Sequence, residues 1–525
     1  MASGLLLALT FPIAPLDPWL PLGLREPLAF VAFIPWLLGL RGTSLKGAAA
    51  LGFVGGLAFY LSRLLCMFQV VYVFGGKPFG VALLTYALMA LYESLYWLMG
   101  GVFVAAWLRA GRRLLWAFPA LWVALELLRG SLFTGMPACH IGHSVLSDLA
   151  LVQWAAWFGE SGLVFFVTFM NAWGADLVST PRRTTGDWAK GPLVLALAHA
   201  LGLGWLVYTD DLEASAPALK VALVQSNVDH RVEGFLDKTT QFMGQSQNPL
   251  TEAADENGAD LIIWSEASLP MPLGPRVSDL HRAGLSKPSY RAHLLVGNDQ
   301  AGFGFSRRIA RNTMFLGSPS LEVLGAQSKQ HLVPFGEYVP WGLERYGVGS
   351  VLGTQYEPGT SRVLETQSLA SLSGGTAKLG VTICFDSAFP AITRTFVSQG
   401  ANLLVVATND SWLGATGGAE EFFRMARLRA VETGRSVVRS AKTGPSGFFT
   451  ASGRIRSRTD VGVVRQSAPF GEAALKAPES LAQAVPLLSH TTPYALWGDG
   501  PAWVGLLAFA ATVFRKNLFR SRVRA

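Results

Sequence analysis

Hydrophobic patterning divides the chain into two textures. From residue 3 to residue 208, long apolar runs are broken only by short polar stretches. A helix needs about 20 apolar residues to cross a bilayer core. Seven runs are candidates: Ser3–Pro15, Pro27–Leu40, Leu45–Phe74, Phe79–Leu108, Leu114–Phe133, Leu149–Val178 and Leu193–Tyr208. The first two are short, and a hairpin dipping into the bilayer competes there with two full crossings. An eighth run, Ala502–Phe514, comes near the end of the chain. From Ala216 to Ser467 the period changes to short β-rich runs, at Leu219–Gln225, Leu261–Trp264, His293–Val296, Thr313–Gly317, Leu379–Cys384 and Leu403–Ala407. Amphipathic helical patterns lie between them, such as Phe235–Asn257 before Gly258 and Glu420–Thr433 before Gly434. This alternation predicts an α/β layered domain with one sheet or two. Residues Ala468–Pro493 read as a loose return to the membrane.

Charge then orients the pattern. The chain carries a formal charge of +8, which on its own admits nucleic-acid binding. The basic residues sit elsewhere: Arg41 and Lys46, then Arg109, Arg112 and Arg113, then Arg182, Arg183 and Lys190, and finally Arg515, Lys516, Arg520, Arg522 and Arg524. In an eight-helix scheme with a cytoplasmic N-terminus all these clusters fall on one side, as the positive-inside rule requires. The polar domain then lies outside the cytoplasm, and nucleic acid is not expected as a partner. The N-terminus lacks the basic stretch of a secretory leader and is read as a retained membrane segment. Arg63, Glu93, Glu126, Arg129 and Glu160 interrupt the apolar runs. Glu126 and Arg129, three apart on one helix face, predict a local ion pair.

Three strand-to-loop transitions carry the chemistry. LIIWSEASLP leads into Glu266, SKQHLVPFGEYVP holds Lys329 and Glu337, and KLGVTICFDSAFP ends a strand at Cys384. The three cysteines, Cys66, Cys139 and Cys384, are far apart and make neither a disulfide framework nor a zinc site. A packed thiol is one reading of Cys384. A nucleophile is the other, since a carboxylate can take the thiol proton and an ammonium can stabilise an oxyanion. Spacing alone does not show that these residues meet.

WSEASLP, KQHLVPFGEYVP and ICFDSAFP together resemble the Glu, Lys and Cys signatures of the nitrilase superfamily. Within it the chain resembles the membrane-embedded apolipoprotein N-acyltransferases. FPALWVALELLRG at Phe118–Gly130, VQWAAWFGESG at Val152–Gly162, LVQSN at Leu223–Asn227 and TNDSWLG at Thr408–Gly414 extend the likeness over most of the chain. The resemblance implies a polytopic helical membrane domain of about eight helices plus an αββα nitrilase-like sandwich. The implied division is 1–214 for the helical domain, 215–485 for the catalytic domain, and 486–525 for a last helix with a basic cytoplasmic tail.

It implies Glu266 as general base, Lys329 as stabiliser of the oxyanion and Cys384 as nucleophile. Glu337, Asp386, Phe385 and Asn312 would support them, with neither metal nor cofactor. The reaction implied moves an acyl chain from a membrane phospholipid, through a thioester, to the α-amino group of a diacylglyceryl-cysteine lipoprotein. Membrane lipid would be a further partner, and a monomer in the bacterial inner membrane, with its catalytic domain on the periplasmic side, is expected. Trp341, Leu343 and Tyr346, in an apolar stretch rich in glycine, read either as a membrane-facing lid or as an ordinary packed loop. Departures from the family pattern are Phe385 and Asp386 after the cysteine, the run Gly418–Phe422, Lys442 in place of an asparagine, and no tryptophan near Gly234. They bear on acceptor recognition and leave an alternative amine acceptor, a membrane-anchored amidase or hydrolase, and a non-catalytic scaffold as competing readings.

Overall fold

The computed structural model describes all residues except 14–15, 229–242, 270–271, 275–276, 304–307, 347–348, 351–354, 415, 461–462, 467–472, 476 and 523–525, and only the backbone at 301–303, 308–309, 346, 463–466, 473–475 and 513–522. Two compact units result. One comprises Met1–Leu65, Tyr86–Leu206 and Thr492–Ala525; the other comprises Cys66–Thr85 and Val207–Thr491.

Among the described residues, five helical stretches are long and apolar enough to cross a membrane: Leu22–Gly39, Leu45–Arg63, Phe79–Arg109, Glu160–Ser179 and Thr185–Ser215. Several expected runs are subdivided. Leu45–Phe74 breaks after Arg63 into Leu65–Gln69 and the π-helical turn Val70–Phe74. Leu149–Val178 divides into Leu149–Val152, Ala155–Phe158 and Glu160–Ser179. The last break falls at Gly159, whose φ of +59° is open to glycine and whose missing Cβ would meet the Tyr494 ring. Leu114–Phe133 yields only the helix Ala117–Arg129, and the last run lies within the helix Gly500–Arg522. Helices Leu45–Arg63 and Phe79–Arg109 approach closely because Gly52 and Gly56 face Trp97, and Gly101 faces the Ala48 carbonyl. Small residues at the seam of a helix pair let backbones pack without side chains between them.

Among the described residues of the second unit, fourteen strands form two six-stranded sheets and a two-stranded ribbon. The first sheet has the order β14-β1-β2-β3-β4-β5, with β1 Ala218–Gln225, β2 Leu261–Trp264, β3 His293–Phe303, β4 Arg308–Gly317, β5 Val323–Ser328 and β14 Glu479–Pro486. The second has the order β11-β10-β9-β8-β7-β6, with β6 Leu364–Glu365, β7 Lys378–Ile383, β8 Leu403–Thr408, β9 Ser436–Ala441, β10 Gly447–Phe449 and β11 Ile455–Arg458. The ribbon pairs β12 Val463–Gln466 with β13 Ala473–Leu475.

Alternation along the strands explains the layers. Leu219, Val221, Leu223, Leu261 and Ile263 face Leu379, Val381, Ile383, Leu403 and Val405 in one dry core between the sheets. The intervening residues Ala222, Val224, Ile262 and Trp264 point the other way, where Leu250 and Ala254 of the helix Asn248–Glu256 pack on them. On the far side, Gly380 lets the helix Pro390–Ser398 settle on β7, because a Cβ there would lie 2.7 Å from Phe396. The domain is therefore the expected αββα sandwich.

Two local expectations change. The stretch Ala468–Pro493, read as a loose return, contains β14, which runs antiparallel to β1 over its whole length. Its small and polar residues hide the period-2 signal. The predicted helix Phe235–Asn257 is described only from Met243, as a π-turn followed by Asn248–Glu256, and its earlier part lies outside the described residues.

Candidate active site

The parallel strands β1, β2 and β3 of one sheet and β7, β8 and β9 of the other present their C-terminal ends as a set. Such ends are where α/β sheets offer reactive side chains. Glu266 stands two residues beyond β2, Cys384 directly after β7, Asn409 directly after β8 and Lys442 directly after β9. Lys329 follows β5 and is pinned through its amide to the carbonyl of Asn312 on β4, at 2.8 Å.

Both the acid and the thiol sit at sharp turns. Cys384 has φ +52° and opens a 3-10 turn, so the strand stops at Ile383, one residue short of the sequence reading. Ala267, after Glu266, has φ +46°. A left-handed non-glycine residue costs of order 1–3 kcal/mol and persists where its surroundings impose it. Gly297 makes room for the second turn, since a Cβ there would lie 2.4 Å from the Ser265 carbonyl.

Glu266, Lys329 and Glu337 are all buried. The Lys329 ammonium donates to Glu337 Oε1 at 2.7 Å, and Glu337 Oε2 accepts from the Val333 amide at 2.8 Å. Glu266 accepts from the Asn312 side-chain amide on one oxygen and from the Asn409 backbone amide, at 2.6 Å, on the other. Burial pushes the Glu266 carboxyl up to about 7; Lys329 opposes that rise, Glu337 adds to it, and the Asn312 and Asn409 donors oppose it. Burial also pushes the Cys384 thiol up to about 12, assisted by the negative charge of Glu266 and opposed by Lys329. Burial alone would lower Lys329, but Cys384, Glu337 and Glu266 outweigh it and hold the ammonium above the usual lysine range. The fold thus brings the four residues within electrostatic reach of one another. The resting site holds the Cys384 thiol within electrostatic reach of the Glu266 carboxyl.

Asp386 joins two of the three signatures. Its carboxylate accepts from the amides of His331 at 2.7 Å and Gln330 at 3.1 Å, just after Lys329, and from Ile383 at 3.2 Å, just before Cys384. It is fully buried, and burial pushes its carboxyl up to about 6. Phe385 packs edge-on against Phe389 and His331. Of the apolar stretch, Trp341 is 61% exposed, has φ +58° and meets Phe335 edge-on, while Leu343 is half-buried. The Tyr346 side chain lies outside the described residues.

Sequence reasoning did not place several partners. Arg439 on β9 holds both oxygens of Asp410, at 2.9 and 2.8 Å, in a buried pair next to Asn409. Lys442 donates to the Ala267 carbonyl at 2.7 Å, bracing the turn that carries Glu266, and its charge also acts on Asp299, which Tyr356 bonds at 3.2 Å. Residues Cys66–Thr85, read as membrane helix, belong to this unit, where Phe74 stacks on Trp412 at 4.0 Å. The motif TNDSWLG and the stretch RSAKTGPSG at Arg439–Gly447 contain these residues, but their partners are distant in sequence.

The chain was then compared with known proteins. Residues 3–173 match the family model described as "Apolipoprotein N-acyltransferase N-terminal domain", and residues 220–478 match "Carbon-nitrogen hydrolase". The apolipoprotein N-acyltransferase of Methylococcus capsulatus is 30% identical over 96% of this chain and 94% of its own. The chain belongs to the apolipoprotein N-acyltransferase family. The Geobacter metallireducens member is 29% identical, with 98% and 94% covered. A solved amidase of the nitrilase superfamily from Nesterenkonia AN1 aligns with 54% of this chain and 94% of its own at 18% identity, with a TM-score of 0.35.

In this family member the Asp410–Arg439 pair supports the loop whose amide holds Glu266. Arg439→Ala leaves a buried carboxylate without its cation, a change that costs about 3–5 kcal/mol. A marked fall in the melting temperature of the detergent-purified protein is expected; an unchanged melting temperature would contradict the assignment.

Proposed function

We propose that the chain transfers an acyl chain from a membrane phospholipid, through a thioester on Cys384, to the α-amino group of a diacylglyceryl-cysteine lipoprotein. The observation that carries this reading is the convergence of buried Glu266, Lys329 and Glu337 with partly buried Cys384 at the C-terminal ends of the strands. In the first half-reaction Glu266 takes the thiol proton as Cys384 Sγ attacks the ester carbonyl. Lys329, fixed by Glu337, stabilises the oxyanion of the tetrahedral intermediate. The C–O bond breaks, Glu266 returns the proton to the leaving alkoxide, and a lysophospholipid departs. In the second half-reaction the amine attacks the thioester carbonyl and gives its proton to Glu266. The C–S bond then breaks, and the thiolate regains that proton. Two half-reactions through one nucleophile give ping-pong kinetics.

The high thiol value means that proton transfer accompanies attack and does not precede it. Asp386 takes a positioning role, coupling the Lys329 loop to the Cys384 turn. The proposed division is a membrane domain over 1–214, a catalytic domain over 215–485 facing the periplasm, and a last helix with a cytoplasmic tail over 486–525. All of it is assigned to one monomer in the inner membrane. Trp341 and Leu343 contact the lipid surface at headgroup level.

The reading is tested by mixing purified protein with phospholipid and a diacylated lipopeptide. One lysophospholipid and one N-acylated peptide per turnover are expected; free fatty acid with an unmodified peptide would replace the transferase by a hydrolase. Because the base must be ionised, the acylation rate should rise with pH up to about 7 and level off above it. Asn312 favours the ionised form of Glu266, so Asn312→Ala should move that limb to higher pH. An unmoved limb would exclude Glu266 as its origin. Trp341→Ala should lower turnover on phospholipid vesicles several-fold while sparing a short-chain soluble ester; equal turnover on vesicles would remove the lipid-contact role.

A further inference from the structure

Ionisable side chains that interrupt the apolar runs meet in one buried cluster of the helical unit. Arg129 reaches Glu126 Oε2 at 3.1 Å, the ion pair predicted from spacing, and also Glu93 Oε2 at 3.4 Å. It donates besides to the carbonyls of Met136 and Ala138. Beyond Glu126 stands His140, with Nε2 3.2 Å from Glu126 Oε2 and Nδ1 2.7 Å from Glu160 Oε1. His143 Nε2 lies 3.3 Å from the same Glu160 oxygen. The donors come from the end of the helix Ala117–Arg129, from the 3-10 segment Ile141–Val145 and the residue before it, and from the start of Glu160–Ser179. Gly142 permits this approach, since a Cβ there would lie 3.0 Å from Glu160 Cγ.

Charge and geometry point the same way. Glu93, Glu126 and Glu160 set three carboxyl groups against a single guanidinium, Arg129, among apolar helices. Unbalanced burial costs several kcal/mol per ion. Imidazolium groups or a dication would add positive charge there. An imidazolium between two carboxylates would aim its N–H groups at them. Here the His140 side chain is only 8% exposed, and its Nε2, aimed at Glu126, makes no aligned hydrogen bond. That contact is close but oblique. Donors about 2.0–2.1 Å from a tetrahedral ion lie roughly 3.3 Å apart; one ligand atom each of Glu126, His140 and Glu160 lie within 4.8 Å of one another, with Glu126 Oε2 3.2 Å from His140 Nε2 and His143 Nε2 3.3 Å from Glu160 Oε1. The other Glu126 oxygen accepts from Trp122 Nε1 at 3.0 Å and the Ile141 amide at 3.3 Å, the kind of outer contact that orients a ligating carboxylate.

We propose that Glu126, His140 and Glu160, with His143 as the fourth donor, bind one divalent transition-metal ion. Two imidazoles and two carboxylates favour zinc over calcium or magnesium, which prefer all-oxygen sites. With four protein donors the site is a structural one, fastening three segments of the helical unit together.

Untagged full-length protein in detergent, stripped with a chelator, is titrated with Co²⁺ as the probe. Visible absorption bands of tetrahedral cobalt, saturating at one equivalent and displaced by Zn²⁺, are expected. Zn²⁺ should also raise the melting temperature of the stripped wild type. Glu160→Gln and His140→Gln should each weaken binding by about tenfold or more, while Cys384→Ser binds as wild type. The wild-type titration needs no variant, so a misfolded variant does not obscure the result. Absence of stoichiometric cobalt binding would overturn the proposal in favour of protonated imidazoles. Binding that persists at wild-type affinity in both ligand variants would overturn it equally.

Discussion

One buried ammonium among three groups that are acidic or become so sets the terms for the catalytic unit. Lys329 is buried and held 2.7 Å from Glu337, with Glu266 and the partly buried Cys384 in electrostatic reach. Without that cation, two carboxylates would share a low-dielectric pocket and one of them would take up a proton. With it, Glu337 is held by a direct ion pair, and burial pushes the Glu266 carboxyl up to about 7. The two carboxylates have different hydrogen-bond partners. Glu337 is bonded directly to Lys329, whereas Glu266 is bonded to the neutral amides of Asn312 and Asn409.

The sandwich exists in a form that can bear this arrangement. Parallel strand ends from two facing sheets deliver the acid and the thiol from opposite sides, and both are turned inward by left-handed residues directly at or after them. The turns are braced by distant groups: Lys442 holds the Ala267 carbonyl, Asp386 holds the amide before Cys384, and Gly297 leaves space for the bend after β2. Dry apolar packing between the sheets makes the strand ends rigid. Side chains placed by rigid elements need little reorganisation to react with one another.

Much of this was legible in the sequence. Short β-rich runs located β1, β2 and β8 to within a residue, and strand-to-acid or strand-to-thiol transitions picked out Glu266 and Cys384, since both residues follow strongly apolar strands. The motif around Lys329 and Glu337 carried the rest of the set. What could not be read was long-range. Nothing local marks Asn409 as a donor to Glu266, Arg439 as the partner of Asp410, or β14 as the neighbour of β1, because each is a pairing between segments far apart in the chain. The apolar run Leu45–Phe74 looked continuous because hydropathy does not register a π-turn. The ion pair of Glu126 and Arg129 was visible from their spacing, but its extension to His140 and Glu160 depends on how three helical segments pack.

The central claim is that Cys384 carries the acyl group between donor and acceptor. Intact-protein mass spectrometry on the purified chain, mixed with phospholipid and no acceptor, tests it most directly. The account predicts a mass gain of one acyl chain that is absent from Cys384→Ala and is discharged when a lipopeptide amine is added. An unchanged mass with phospholipid left intact, or an adduct that persists in Cys384→Ala, would contradict it.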